Sequence, residues 1–146
     1  MTSNVENSHL SEPSLNDLML KTLAMPSAAN AYGDIFGGWL VSQMDIGGSL
    51  LAHKCAQNRV TTVSIDGMVF LKPVSIGDCV SCYASVVKTG RSSIVINVSV
   101  WAERRINGSS HKVTEGIFTF VAIDEHGKSK AIDWQQVKAN NYHPPM

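Results

Sequence analysis

Residues 35–54 read Ile35-Phe36-Gly37-Gly38-Trp39-Leu40-Val41-Ser42-Gln43-Met44-Asp45-Ile46-Gly47-Gly48-Ser49-Leu50-Leu51-Ala52-His53-Lys54. No proline interrupts this run, which is long enough for a helix of about five turns. Between Asp34 and Lys54 the one charged side chain is Asp45. A helix that is apolar on every side is expected to be buried, not laid on a surface. Gly37, Gly38, Gly47 and Gly48 each cost it about 1 kcal/mol of helix propensity. Their expected use is close approach, by a sheet, a second helix or a ligand.

The texture on either side of this helix differs. Leu15–Met25 carries Leu18, Leu20 and Leu23, ends at Pro26, and reads as a first strand. A loop of small and polar residues follows over 26–34. After the helix come four stretches rich in Val, Ile, Thr and aromatics: Val60–Phe70, Cys79–Lys88, Ser92–Arg104 and Lys112–Asp124. In the third, Ile94, Ile96, Val98 and Val100 alternate with Val95, Asn97, Ser99 and Trp101, a strand period of two. Thr89-Gly90-Arg91 and Asn107-Gly108-Ser109-Ser110 are short enough for antiparallel hairpins. The order strand, helix, four strands predicts an α+β fold, one long central helix against an antiparallel sheet of about five strands.

With 146 residues, 44% hydrophobic and 16% charged, the chain has the balance of a single globular domain. We expect that domain over residues 14–132, with loose tails at 1–13 and 133–146. Twelve basic and twelve acidic residues cancel, so there is no basic excess for nucleic acid and no long apolar run for a membrane. The polar Met1–Glu12 segment does not read as a signal peptide, which makes the cytoplasm the expected compartment. Three cysteines, an odd number, suit a reducing environment. Cys79 and Cys82 have CxxC spacing, but three residues apart on a strand they face opposite ways, so packing is expected rather than metal or redox chemistry. The five histidines are scattered, and no metal or cofactor is called for.

A lone carboxylate in an apolar helix is costly unless something uses or satisfies it. Asp45 is therefore either a general base or nucleophile in a dry cleft, or a hydrogen-bonded core aspartate. Gly37 and Gly38 stand at the helix start, where unpaired N–H groups and the positive dipole end can polarise a carbonyl oxygen. The alternative is that they merely permit tight packing. No Lys-Ser/Thr follows Gly33–Gly38, so this is not a phosphate-binding P-loop. Gly37 and Asp45 lie about 12 Å apart along the helix axis, too far to share one reacting carbonyl within one chain. Two antiparallel copies related by a two-fold axis bring Asp45 of one opposite Gly37 or Gly38 of the other, so joint action requires at least a dimer.

The run from Leu23 to Gly48, with its Asn30-x-x-Gly33-Asp34-x-x-Gly37-Gly38-Trp39 block, closely resembles the YciA-type acyl-CoA thioesterases. The resemblance continues through Arg59–Val63, Gly67–Val74, Gly77-Asp78, Gly90–Ile94, Val113–Glu115 and Phe118–Asp124, and spans about residues 15–132. It implies a hot-dog fold and hydrolysis of acyl-CoA to free acid and CoA, in dimers that group into hexamers. It further implies that Asp45 is the family's helix carboxylate, that Gly37 or Gly38 supplies the polarising amide, and that Asn30 lines the site. One departure stands out. Where the family commonly has an acidic residue and a threonine before that asparagine, this chain has Ala28 and Ala29.

CoA carries phosphates, so its path should present cations and hydroxyls. Lys88, Thr89, Gly90, Arg91, Ser92 and Ser93 at one hairpin are the candidates, with Arg59 and Val60 as further ones; the alternative is an ordinary solvated turn. Two rival functions compete. A hot-dog dehydratase would want a histidine partnered with the helix acid and a His-Phe-Pro type motif, absent here. A non-catalytic acyl-CoA sensor would keep the pocket but need no carboxylate at position 45.

Overall fold

The computed structural model describes residues 11–140. Five strands, β1 (Leu18–Leu23), β2 (Val60–Asp66), β3 (Cys79–Thr89), β4 (Ser93–Glu103) and β5 (Ser110–Ala122), form one antiparallel sheet in the order β1-β3-β4-β5-β2. Helix α1 (Gly37–Ala56) lies across it, and a short α2 (Trp134–Ala139) follows the sheet. The α+β architecture expected from the sequence is present. The alternation in β4 has the expected consequence, since Ile94, Ile96, Val98 and Val100 are all fully buried. Phe118 and Phe120 from β5, with Val80 and Cys82 from β3, complete the layer beneath the helix.

The glycines of α1 divide by use. A methyl group on Gly48 would meet Phe120 and Val98 at 3.1–3.2 Å, so this position sets how closely helix and sheet approach. One on Gly47 would meet the β-carbons of Cys82, Met19 and Leu20 at 3.4–3.8 Å, ordinary contact. Cys82 therefore points at the helix. Cys79, three residues away on the same strand, takes the opposite face.

Several boundaries differ from the expectation. The helix begins at Gly37 rather than Ile35, because the Ile35 amide donates to Val74 (2.8 Å) and the Phe36 amide to Ala28 (2.9 Å), holding both residues extended. It runs on to Ala56 and is closed by left-handed Gln57 (φ 50°), whose N–H donates to His53. Strand β1 is shorter than expected because Leu15–Asp17 forms a 3-10 turn capped by Ser14. Strand β2 stops at Asp66, and left-handed Gly67 (φ 66°) leads the chain out of the sheet.

Two expectations are corrected. The helix is not buried all round: Leu40, Met44, Gly47, Gly48 and Ala52 face the sheet, whereas Ile46 and Leu50 are 46% and 51% exposed. A single sheet covers one side of a helix, and the opposite apolar stripe is left open in this chain alone. The segment after Asp133 is not a loose tail as far as Asn140. Asp133 caps α2 by accepting from the Gln136 amide, Val137 is buried, and Trp134 donates from its indole to the Gly90 carbonyl (3.1 Å). The expected tails at 1–10 and 141–146 lie outside the described residues. Residue Glu12 accepts hydrogen bonds from the Tyr83 and Ser110 hydroxyls. No helix among the described residues is long and apolar enough to cross a membrane.

Candidate active site

Asp45 sits midway along α1, half-buried on the flank that faces the edge strand β2. Its Oδ1 accepts a hydrogen bond from the Thr62 hydroxyl at 2.5 Å. That is the short end of the range for a hydroxyl on a carboxylate and marks a charge-assisted bond. Thr62 stands at a β-bulge, for the β2–β5 register slips between Thr62 and Ser64, leaving Val63 unpaired. Bulges re-aim side chains next to functional sites, and this one accompanies the turn of Thr62 toward the helix. Oδ2 of Asp45 has no protein partner among the described residues. The carboxylate is thus anchored through one oxygen and open through the other.

The start of α1 is equally open. Phe36, the N-cap, has no side-chain oxygen, and its carbonyl takes the Trp39 and Leu40 amides at 3.1 and 3.3 Å. The Gly37 and Gly38 amides precede any intrahelical bond and have no acceptor among the described residues. Two N–H donors at the positive end of a 20-residue helix are what an oxygen gaining negative charge requires. Within one chain they remain about 12 Å along the axis from Asp45.

Asn30 belongs to the loop before the helix. Its Oδ1 accepts from the Tyr32 and Asp34 amides at 2.9 and 3.1 Å, and its own amide donates to the Asp34 carbonyl at 2.7 Å. These bonds fold 30–34 into a compact turn and deliver the chain to Ile35 and the helix start. Next to Gly37 lies a cavity of about 360 Å³ lined by Ile35, Leu40, Phe70, Leu71, Lys72, Pro73 and Val74.

The residues expected to hold CoA come from two distant segments, and the fold brings them to one end of the sheet. The Ser92 carbonyl accepts from the Ala122 amide (2.8 Å) and the Arg59 carbonyl from the next residue, Ile123 (2.9 Å). Arg59 and Val60 therefore flank one side of the end of β5, and the 88–93 hairpin flanks the other. Lys88, Arg91 and Arg59 are exposed. The backbone of Gly90 and Arg91 is occupied by Trp134 and Ile132, which braces the turn and leaves its side chains free. A polar cavity of about 420 Å³ at this end is lined by Asn58, Arg59, Asp124, His126 and Lys130.

Sequence reasoning missed Thr62. It lies in the Arg59–Val63 run that the resemblance covers, but a threonine in a strand signals nothing unless the bulge and the facing helix are known. It also missed Lys130, which sits beside Arg59 only because the chain doubles back after β5. A larger cavity, about 610 Å³, holds none of the expected residues and is bounded by Asp78 and Arg104–Asn107. There buried Asp78 accepts the Ser75 amide and pairs with Arg104 at 3.2 Å. Burial holds nearby His111 below its ordinary pKa, helped by the Arg104 and Lys72 charges and opposed by the Pro73 backbone and Asp78. Burial alone pushes the Cys82 thiol up to about 12. No cluster of His, Cys, Asp or Glu suited to a metal ion occurs among the described residues.

Comparison with known proteins agrees with this fold. Residues 32–108 match the thioesterase superfamily model. The acyl-CoA thioester hydrolase YciA of Escherichia coli (strain K12) is 52% identical over 119 residues, covering 80% of this chain and 90% of the relative. The hexameric thioesterase y2039 from Yersinia pestis superposes with a TM-score of 0.77 at 55% identity, over 80% of this chain and 95% of that one. Cj0915, a hexameric hotdog fold thioesterase of Campylobacter jejuni, gives 0.78 at 40% identity, over 86% and 97%.

Proposed function

The chain belongs to the thioesterase superfamily and, within it, to the YciA-type acyl-CoA thioester hydrolases, and we propose that it hydrolyses acyl-CoA at a site shared by two copies. The observation that carries this reading is the Asp45 carboxylate, the one acidic group in its helix, anchored through Oδ1 by Thr62 and free at Oδ2.

In the reaction as we draw it, the substrate carbonyl lies between Asp45 of one copy and the Gly37 or Gly38 amide of the second. Oδ2 either takes a proton from a water that attacks the carbonyl carbon, or attacks that carbon itself to give an anhydride that water opens. In both routes a C–O bond forms, the C–S bond breaks, and the departing CoA sulfur receives a proton. The amide stabilises the negative oxygen of the tetrahedral state, a term typically worth about 3 kcal/mol. The steps consume water and use no metal or redox cofactor. Asn30 supports the amides by fixing the loop that leads into the helix. CoA runs along β2 from Thr62 toward Arg59, where its phosphates meet the cations of the 88–93 hairpin. The open stripe at Ile46 and Leu50 is where the second copy packs, and such dimers group in threes, as the hexameric state of the relatives supports.

The test is release of free thiol from a panel of acyl-CoAs, with variants mixed in pairs. Asp45→Asn alone, and Gly37→Pro or Gly38→Pro alone, should be inactive; proline is tolerated at the first turn and deletes one amide. Unfolded and refolded together, the two kinds should recover about a quarter of wild-type activity, because half of the dimers are mixed and each holds one intact site. No recovery would refute the shared site. Binding of CoA esters without any thiol release by wild type would favour a sensor.

A further inference from the structure

The cavity beside Gly37 has a composition unlike the rest of the site. Ile35, Leu40 and Val74 form a buried floor, and Phe70 and Leu71, 45% and 57% exposed, form the upper wall. Lys72 is the one charged residue in its lining. A volume of about 360 Å³ falls at the small end of ligand cavities, about 300–1,000 Å³. Apart from Lys72, these walls are apolar side chains that suit alkyl groups.

Its position is as telling as its composition. Gly37 both lines the cavity and carries one of the free amides, and a methyl group built on Gly37 would lie 3.2 Å from Phe70 Cζ. The Phe70 ring thus hangs directly over the helix start. Its backbone is pinned on both sides: Thr114 donates to the Val69 carbonyl and the Leu71 amide to the Val113 carbonyl, each at 2.7 Å. The floor is fixed by the bond from the Ile35 amide to the Val74 carbonyl. The wall is therefore a held feature, and the ring is the part that projects into the space.

We infer that this groove receives the acyl chain of the thioester and that Phe70 sets how long or bulky that chain can be. The inference rests on the thioesterase reading, since it takes the carbonyl to sit at the Gly37 or Gly38 amide. The acyl chain then extends into the groove of the copy that supplies the amide. CoA leaves the opposite way, along β2 of the copy that supplies Asp45. Acyl and CoA portions are thereby read by different copies, and altering the groove changes chain preference without touching the CoA path.

The experiment measures kcat/KM for straight-chain acyl-CoAs from short to medium length, with wild type, Phe70→Ala, Phe70→Leu and Phe70→Trp. Opening the groove should favour longer chains, by about fourfold for each further methylene that the enlarged groove covers. Phe70→Trp should shift the preference toward shorter ones, while inhibition by free CoA stays the same in all variants. A thermal melt confirms folding, and Phe70→Leu carries the test if the alanine variant is unstable. If all chain lengths change by one common factor, the groove does not hold the acyl chain. If wild type cleaves no acyl-CoA at all, it is the thioesterase reading that fails instead.

Discussion

Replacing Thr62 by valine removes one hydroxyl from the site and little else, because the side chains have nearly the same shape. The bond lost is the 2.5 Å contact that anchors Asp45. Hydrogen bonds to charged groups contribute about 1.5–3 kcal/mol, and half-burial of the carboxylate places this one in the lower part of that range. At about 1.4 kcal/mol per factor of ten, kcat should fall about ten- to thirtyfold. Thr62 touches the carboxylate and not the substrate, so KM should change little. Fold stability should stay within about 1 kcal/mol, since valine suits a strand. Thr62→Ser keeps the hydroxyl and should remain close to wild type. The assay is initial-rate thiol release with saturating acyl-CoA, beside a melting curve for each variant. A Thr62→Val enzyme with wild-type kcat would show that the anchor is not used. A serine variant as impaired as the valine one would point to strand packing instead.

Three further outcomes follow from the packing and the charges. Gly48→Ala gains about 1 kcal/mol of helix propensity but forces a methyl against Phe120 and Val98 at 3.1–3.2 Å, which costs about 1–3 kcal/mol. It should lower the urea midpoint or leave it level, while Gly47→Ala, in ordinary contact, should raise it; equal effects would refute the close-approach argument. Because burial holds His111 below its ordinary pKa, the unfolded chain takes up a proton there more readily than the folded one. Its contribution to stability is complete above the unfolded value of about 6.5 and is lost as pH falls through the folded value, so His111→Gln should flatten the decline in urea midpoint on acidification. Arg59→Ala and Arg91→Ala should each weaken CoA binding by about two- to fivefold and reduce its salt dependence, as calorimetry at two salt concentrations would reveal. Unchanged binding would remove that residue from the CoA path.

The period-two alternation of β4 and the long apolar run of α1 made the layer arrangement legible, because each pattern has one physical solution. Asp45 was legible for a related reason: a single carboxylate in an apolar helix stands out. Its partner was not, since Thr62 depends on a bulge and a helix that meet only after folding. The start of α1 was misplaced by two residues because Ile35 and Phe36, apolar enough for the helix, spend their amides on Val74 and Ala28. Nor does Trp134–Ala139 look like structure in the sequence; six residues of mixed character hold as a helix only through the Asp133 cap and the burial of Val137. That Arg59 lies near the 88–93 hairpin was not legible, since only the end of β5, bonded to both segments, brings them together.

In the proposed reaction the Asp45 carboxylate performs the hydrolysis. Asp45→Asn keeps the size of the side chain and can still meet the Thr62 hydroxyl, but it loses the charge. Thiol release from a saturating acyl-CoA, wild type against Asp45→Asn with equal CoA affinity, measures that charge directly. The expected fall in kcat is about a hundred- to ten-thousandfold, the span of positioned acid–base groups. An asparagine variant that turns over within a few-fold of wild type would contradict it.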